Sequence, residues 1–553
     1  MFLLTNNFKM KRITQLVILF VLALIAIYTQ MPVVAFGFQG FPALIGALTL
    51  LWVVMNLRMV PQVTNEMQAL KLLTSMAVPK WIFIALLCYM TVLPAVTSWS
   101  LFRWNDYRGL IGNVEIGENL SNHMAPISID KIRVVDESLA NLLGDKVLGA
   151  QPALGSQVRL GTFHIQKVRE NLYWVAPLLH SGFFKWNKNS EGTNGYVMVN
   201  ACNERDVKLV QEVNGHKAMI KYQPEAFFGD YLERHLYFNG YYNTGLTDYT
   251  FEVDDDGVPY WVVTKYKKTI GFYGDDAVGV VVVNTETGKC TEYPIDKAPI
   301  WIDRIQPDKF VEEQLNDWGN FVKGFWNFSN ENKLQVTQKL SLVYGEDNRS
   351  YWYTGLTSVG ADEATVGFVL VDTRTKKAVW YKQSGATEFA AQNSAIGKVQ
   401  EKRFTSSLPI PYNINNIPTY MMTLKDNGGL VKMFAMVAIE DYTIVGVGNT
   451  LVETLMAYKN AYNMAGNKIN PKNITKKLLL KTVVNRIQAD IKNGNSFYYF
   501  TVNGMNNIFI GSSQISNEMP VTMAGDSIQI SFDNDTSGLI DISAFKNTSL
   551  RKK

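Results

Sequence analysis

The chain has 553 residues, of which 47% are hydrophobic, 12% aromatic and 18% charged. That is too apolar for disorder and too long for one ordinary core, so several packed units of roughly 100–150 residues are expected. A net charge of +4 leaves no polybasic excess for nucleic acid over the whole molecule, and three cysteines make neither a disulfide framework nor a four-thiolate zinc site.

The first hundred residues read as a membrane domain, 1–99, with three transmembrane helices at about 13–30, 39–57 and 81–98. Residues 13–31 carry no charge, and the apolar character continues to Leu57 without the small-residue cleavage site of a signal peptide. A turn containing Pro32 and Gly37 separates the first two stretches, and Trp81 opens the third. Lys9, Lys11 and Arg12 precede the first stretch, and Arg58, Lys71 and Lys80 lie between the second and third. The turn between the first two has no basic residue, which places the N-terminus in the cytoplasm and the chain after residue 99 outside. Segment 62–78 reads as a solvated connector helix, with a helix lying along the inner membrane surface as the alternative.

Self-similarity follows. A Tyr-Trp pair recurs at Tyr173-Trp174, Tyr260-Trp261 and Tyr351-Trp352, each succeeded by a glycine and an alternating run: Gly195-YVMVN, Gly279-VVVVN and Gly367-FVLVD. The runs are strand-like and enter polar turns such as Asn284-TETGK and Asp372-TRTKK. Upstream of each pair a helix is predicted, starting at Asp136, Pro224 and Pro307, and a fourth, degenerate copy starts near Thr387. The starts lie 88, 83 and 80 residues apart, which argues for tandem duplication. The predicted units are 125–215, 216–300, 301–385 and 386–448, each one helix on an antiparallel sheet, with the aromatic pairs expected in the cores.

The order helix, strand, strand ending in Tyr260-Trp261-Val262-Val263, then Gly279-VVVVNTETGKCTEY, resembles the PepSY module, a small extracytoplasmic α/β unit found in tandem on membrane proteins. The third unit departs from that pattern with Lys376 in place of the turn glycine, and the first departs at Asn200-ACNERD. The whole chain is also similar to uncharacterised multi-pass membrane proteins of bacteria and their phages. The resemblance implies binding or inhibitory roles and supplies no catalytic residues.

Residues 449–490 read as an amphipathic helix from Thr450 followed by a basic linker, and 491–553 alternate as a small four- or five-stranded β-barrel of OB or SH3-like size. The fold class is therefore a membrane-anchored α+β protein with three N-terminal transmembrane helices, tandem PepSY-like repeats and a terminal barrel.

Motifs for chemistry are lacking. His123, His164, His180, His216 and His235 are dispersed, and there is no Walker loop, dinucleotide fingerprint or nucleophile elbow. Asp254-Asp255-Asp256-Gly257 and Gly274-Asp275-Asp276 read as solvated hairpin turns, and the Asp533 to Gly538 stretch lacks the twelfth-position Glu of a calcium loop, where Ala544 stands. Cys202 and Cys290 follow equivalent strands, leaving a disulfide or two free thiols open. Lys265, Lys267, Lys268, Lys472, Lys476, Lys477 and Lys481 read as solvated strand face and linker. No catalytic, cofactor-binding or metal residue is assigned. The sequence reads as a non-enzymatic extracytoplasmic binding or scaffold protein of the cell envelope, whose partners are the membrane and another protein or an envelope polymer. An envelope hydrolase or peptidase-regulating protein is one alternative; a cytoplasmic-facing nucleic-acid-associated membrane protein is the other.

Overall fold

The computed structural model describes residues 2–57, 77–118, 120, 124, 127, 129–345, 349–359, 364–414, 417–465, 478–492, 495–513, 515–532 and 539–551. The predicted connector helix at 62–78 lies almost wholly outside these residues.

Among the described residues, two helices are long and apolar enough to cross a membrane, Ile13–Gln30 and Trp81–Ser98. This corrects the expectation of three. The apolar part of the helix Gly40–Leu57 is Gly40–Met55, which at about 1.5 Å per residue is shorter than a hydrocarbon core of about 30 Å. Gly40–Leu57 packs against both longer helices. Their apolar side chains stay uncovered by protein, Phe20 being 64% exposed. In the second helix Pro94 has no N–H for the carbonyl four residues back, and the preceding turn widens to a π-helix at Cys88–Val92.

Four sheets follow, and one set of hydrogen bonds recurs in all of them. In the central strand pair Trp174 stands opposite Val199, Trp261 opposite Val283, Trp352 opposite Val371 and Tyr420 opposite Val437. Each indole N–H then donates to a carbonyl in the segment leading to its unit's helix: Trp174 to Val135, Trp261 to Tyr222, Trp352 to Gln306. The Tyr420 hydroxyl reaches Ala386 in the same way. The residue after the second strand of each pair, Ala201, Thr285, Thr373 or Ile439, accepts backbone N–H groups from that same pre-helix segment. The aromatic side chain thus pairs a backbone carbonyl of the segment that leads to the helix, while its ring fills the core.

The helices differ more than the strands. Glu137–Gly149 is capped by Asp136, whose carboxylate accepts the Leu139 N–H, and Glu388–Gly397 by the Thr387 hydroxyl. Asp308–Asn320 starts just after Pro307. The helix expected from Pro224 is only Leu232–Phe238, because the chain first makes a turn in which Phe228 takes φ +51°.

The expectation that each unit's sheet is antiparallel is also corrected. The sheet of the third unit has six strands and is mixed: Val114–Gly117, from the segment that follows the two long apolar helices, pairs parallel with Ala378–Tyr381. Before the first unit begins, the chain has therefore been threaded through the third and fourth. Asn413 bonds to the Met124 carbonyl and Arg133 to the Leu342 carbonyl. The helix Leu451–Met464 lies directly on the last strand of the fourth sheet, where a Cβ at Gly446 would collide with the Tyr458 backbone. The C-terminal strands, Leu478–Lys492 to Leu539–Asn547, close on each other around Phe500, Phe509 and Phe532.

The helical region is joined to the second unit through the tip of the hairpin Pro259–Ile270 and Tyr273–Asn284. Phe272 at the tip packs on Tyr89 and Phe36 with ring centroids 5.1 and 5.5 Å apart, and its N–H donates to Ser98 Oγ at 2.8 Å. Gly37, at φ +86°, lies so close to Gly271 that any side chain there would strike its carbonyl oxygen. Val34 N–H donates to the Tyr242 carbonyl and Tyr237 to the Pro32 carbonyl.

Candidate functional site

A cleft of about 120 Å³ opens where three elements meet: the helix Ser100–Gly109 after the second membrane-compatible helix, the β-hairpin, and the third unit's helix Asp308–Asn320. Glu313, Gln314 and Asp317 come from one face of that last helix, brought together by i, i+1, i+4 spacing. Burial and the neighbouring Glu313 raise the Asp317 carboxyl to about 6. Glu313 is raised by burial and Asp275, with Lys268 opposing. Lys268 pairs with Asp275 at 2.6 Å and holds its ammonium 5.6 Å above the Phe38 ring. Tyr107 donates to the Ser98 carbonyl at 2.7 Å and is pushed up to about 12 by burial and Asp317. Gln314, 1% exposed, donates to the Asp275 carbonyl, and its own Oε1 accepts nothing from the protein.

The rim is closed by Lys376, which bonds to Asp276 and to the Leu110 carbonyl. This is the lysine that stands where the repeat pattern has a turn glycine, and it takes φ +65°. Its counterpart Gly288 has φ +70°. The third unit therefore gives up glycine's conformational freedom at this turn, and the side chain gained ties it to the second unit and, at Leu110, to the stalk, the stretch 100–117 that follows the second long apolar helix.

A second polar cluster lies at the junction of the first three units. Asp303 accepts the Lys167 N–H at 2.6 Å and the Tyr344 hydroxyl at 2.9 Å, while its carbonyl takes the hydroxyls of Ser350 and Thr373. Gln166 makes both of its bonds to the Val253 backbone. Glu252, 1% exposed, accepts from Thr250 at 2.9 Å, and burial lifts it to about 7 against the pull of Arg304. Burial raises Asp303 and Asp248 too, with Arg304 opposing, and burial together with Arg304 holds His164 down at about 3.

The residues singled out in the sequence fall as follows. Asp275 and Asp276 are not in a turn: they are paired strand residues, and the turn is at Gly271-Phe272. Asp254 does close a turn, accepting from Asp256 and Val258, and Asp255 accepts the Arg169 N–H of the first unit. Lys265 pairs with Glu292 at 2.6 Å. Cys88, Cys202 and Cys290 are not joined by a disulfide, and Cys202 Sγ donates to the Lys131 carbonyl at 3.3 Å. His235 bonds to the Gly288 carbonyl at 2.7 Å. Residues 533–538 and Lys472, Lys476 and Lys477 lie outside the described residues. The cleft's carboxylates went unassigned in the sequence, where Glu313, Gln314 and Asp317 fall in the helix predicted from Pro307 and carry no assigned role. Among the described residues no group of three or more His, Cys, Asp or Glu is placed to hold a metal ion.

An α+β body of four sheets that share one hydrogen-bond pattern, joined at its hairpin to apolar helices of membrane-crossing length, defines the class. No protein-family model matches the chain, and no curated protein matches it.

Proposed function

We propose that the protein is a membrane-anchored binding or scaffold protein of the cell envelope, crossing the membrane more than once, with its body outside. The observation that carries the reading is the way the body is built around its attachment. The segment leaving the membrane helices supplies a strand to the third sheet and contacts the fourth unit, so the units and the anchor are one construction. Such a body presents extended surfaces at a fixed orientation to the membrane. We read the side of the membrane from the basic residues at the first helix. Lys9, Lys11 and Arg12 precede it, and its other end is where Arg234 and Tyr237 of the second unit make contact.

The cleft supports binding of a proton or small ion rather than turnover of a polymer, because about 120 Å³ is well below the roughly 300–1,000 Å³ of small-molecule sites. A hydrolase is the second reading, favoured by the raised carboxyls of Glu313 and Asp317. Purified full-length protein in nanodiscs, incubated with cell-wall polymer and with peptide substrates, separates the two. The scaffold reading expects co-sedimentation with polymer, or a saturable protein partner, without product release. Turnover abolished by Asp317→Asn would overturn it.

A further inference from the structure

We propose that the aromatic face formed by the helix Phe183–Lys188 and the Phe227-Phe228 turn is a lipid-docking surface, seated in the interfacial layer of the membrane that the first helix crosses. The proposal rests on the membrane reading above. Phe184 is 84% exposed and Phe228 56%, and with Phe183, Trp186 and Phe227 they form one cluster of ring contacts, the closest 5.1 Å between centroids. A patch of this kind on a water-facing surface is costly, and its rings are held rather than loose.

Two observations show what covers it. The first is strain. Phe228 takes φ +51° although the next residue is Gly229, so a bulky side chain is held in a left-handed conformation that keeps it outside the core. The second is continuity with the anchor. Arg234 donates through Nη1 to the Phe228 carbonyl and through Nε to the Tyr28 carbonyl, and its guanidinium lies 4.2 Å from the Tyr28 ring centroid. One side chain therefore bridges the aromatic turn to the last turn of the helix Ile13–Gln30, where a tyrosine marks the lipid–water boundary. Phe238 extends the contact, 6.0 Å from Tyr28. Lys188 is exposed beside Phe184, suited to headgroup phosphates.

The second helix has a matching arrangement. Beyond its end at Ser98, Trp99 and Phe102 are exposed, and Arg108 bonds to the Phe321 carbonyl ahead of Trp326 and Phe328, which are 70% and 72% exposed. Aromatic groups thus flank the exit of both helices. A lipid surface is the occupant that adjoins both exits, and amphipathic rings at such a boundary are its usual ligands.

The test uses full-length protein in nanodiscs, with Cys88, Cys202 and Cys290 replaced by alanine and an environment-sensitive NBD probe on a single new cysteine. Asn187→Cys lies on the same short helix and leaves every ring in place, and Phe184→Cys replaces the most exposed one. Ile25→Cys reports the first helix, and Asn427→Cys reports an exposed turn of the fourth unit. Lipids carrying a nitroxide high on the acyl chain should quench the probes at 184 and 187 by at least half the loss seen at 25, with blue-shifted emission. Quenching at 25 with positions 184 and 187 no different from 427 would overturn the docking surface and leave the membrane reading standing. Absence of quenching at 25 would overturn both.

Discussion

The buried polar cluster around Asp303 and the open cleft around Asp317 are built from the same materials and behave differently. Both gather carboxylates whose protons are held more tightly than usual, Glu252 near 7 and Asp317 near 6. In the buried cluster the excess charge is met by Arg304 and by hydrogen bonds from three units, so it works as a joint. In the cleft Asp317 faces Glu313 on its own helix, and the lysine that lines the cleft, Lys268, is taken by Asp275. Carboxylates packed among donors lock units together. Carboxylates stacked on one helix face beside solvent instead make a site that titrates.

The largest effect is expected at the joint. Asp303→Ala leaves the Lys167 N–H and the Tyr344 hydroxyl without their acceptor and should cost on the order of 3 kcal/mol, read as a fall in the thermal midpoint of the full chain in nanodiscs. Glu252 supplies a pH test. Its folded value, about 7, lies above its ordinary 4.5, so the fold binds the proton more tightly than the unfolded chain does. The stability this contributes is present below about 4.5 and is lost as pH rises through 7, up to roughly 3 kcal/mol. Thermal midpoints from pH 5 to pH 8 should therefore fall less steeply in Glu252→Gln than in the parent chain.

Smaller effects sharpen the contrast. Trp261→Phe keeps a ring in the core but leaves the Tyr222 carbonyl unpaired, for about 1–2 kcal/mol. Trp352→Phe should match it, since the Gln306 carbonyl is left in the same state. The cleft should respond least. Asp317→Asn removes a like-charge pair one helical turn apart, and solvent screening limits the gain to a few tenths of a kcal/mol at pH 8, vanishing at pH 5. A loss of stability at pH 8 would mean that the cleft is a joint as well.

What was legible in the sequence was what local chemistry dictates. Asp136, Thr387 and Thr450 cap helices where side-chain oxygens precede apolar periodicity, and the Tyr-Trp pairs mark strands. The reason for the pairs was not legible, because the indole's acceptor lies 39 residues upstream for Trp174 and Trp261. The helix expected from Pro224 failed on the turn at Phe228, a conformation that nothing in the letters FFGD requires. The strand Val114–Gly117 could not be placed either, since its parallel partner is more than 260 residues away. The cleft was missed for the same reason. Tyr107, Lys268 and Asp317 share it only because the stalk is threaded back over the hairpin.

The central claim is that the body stands across the membrane from Lys9, Lys11 and Arg12. Labelling with an impermeant maleimide in intact spheroplasts tests it most directly, on a chain lacking Cys88, Cys202 and Cys290 and carrying one new cysteine. A cysteine at Asn427, exposed in the turn after Ile417–Lys425, should be modified without permeabilisation, and one at Asn6 only after it. Modification at Asn6 with protection at Asn427 would contradict the account.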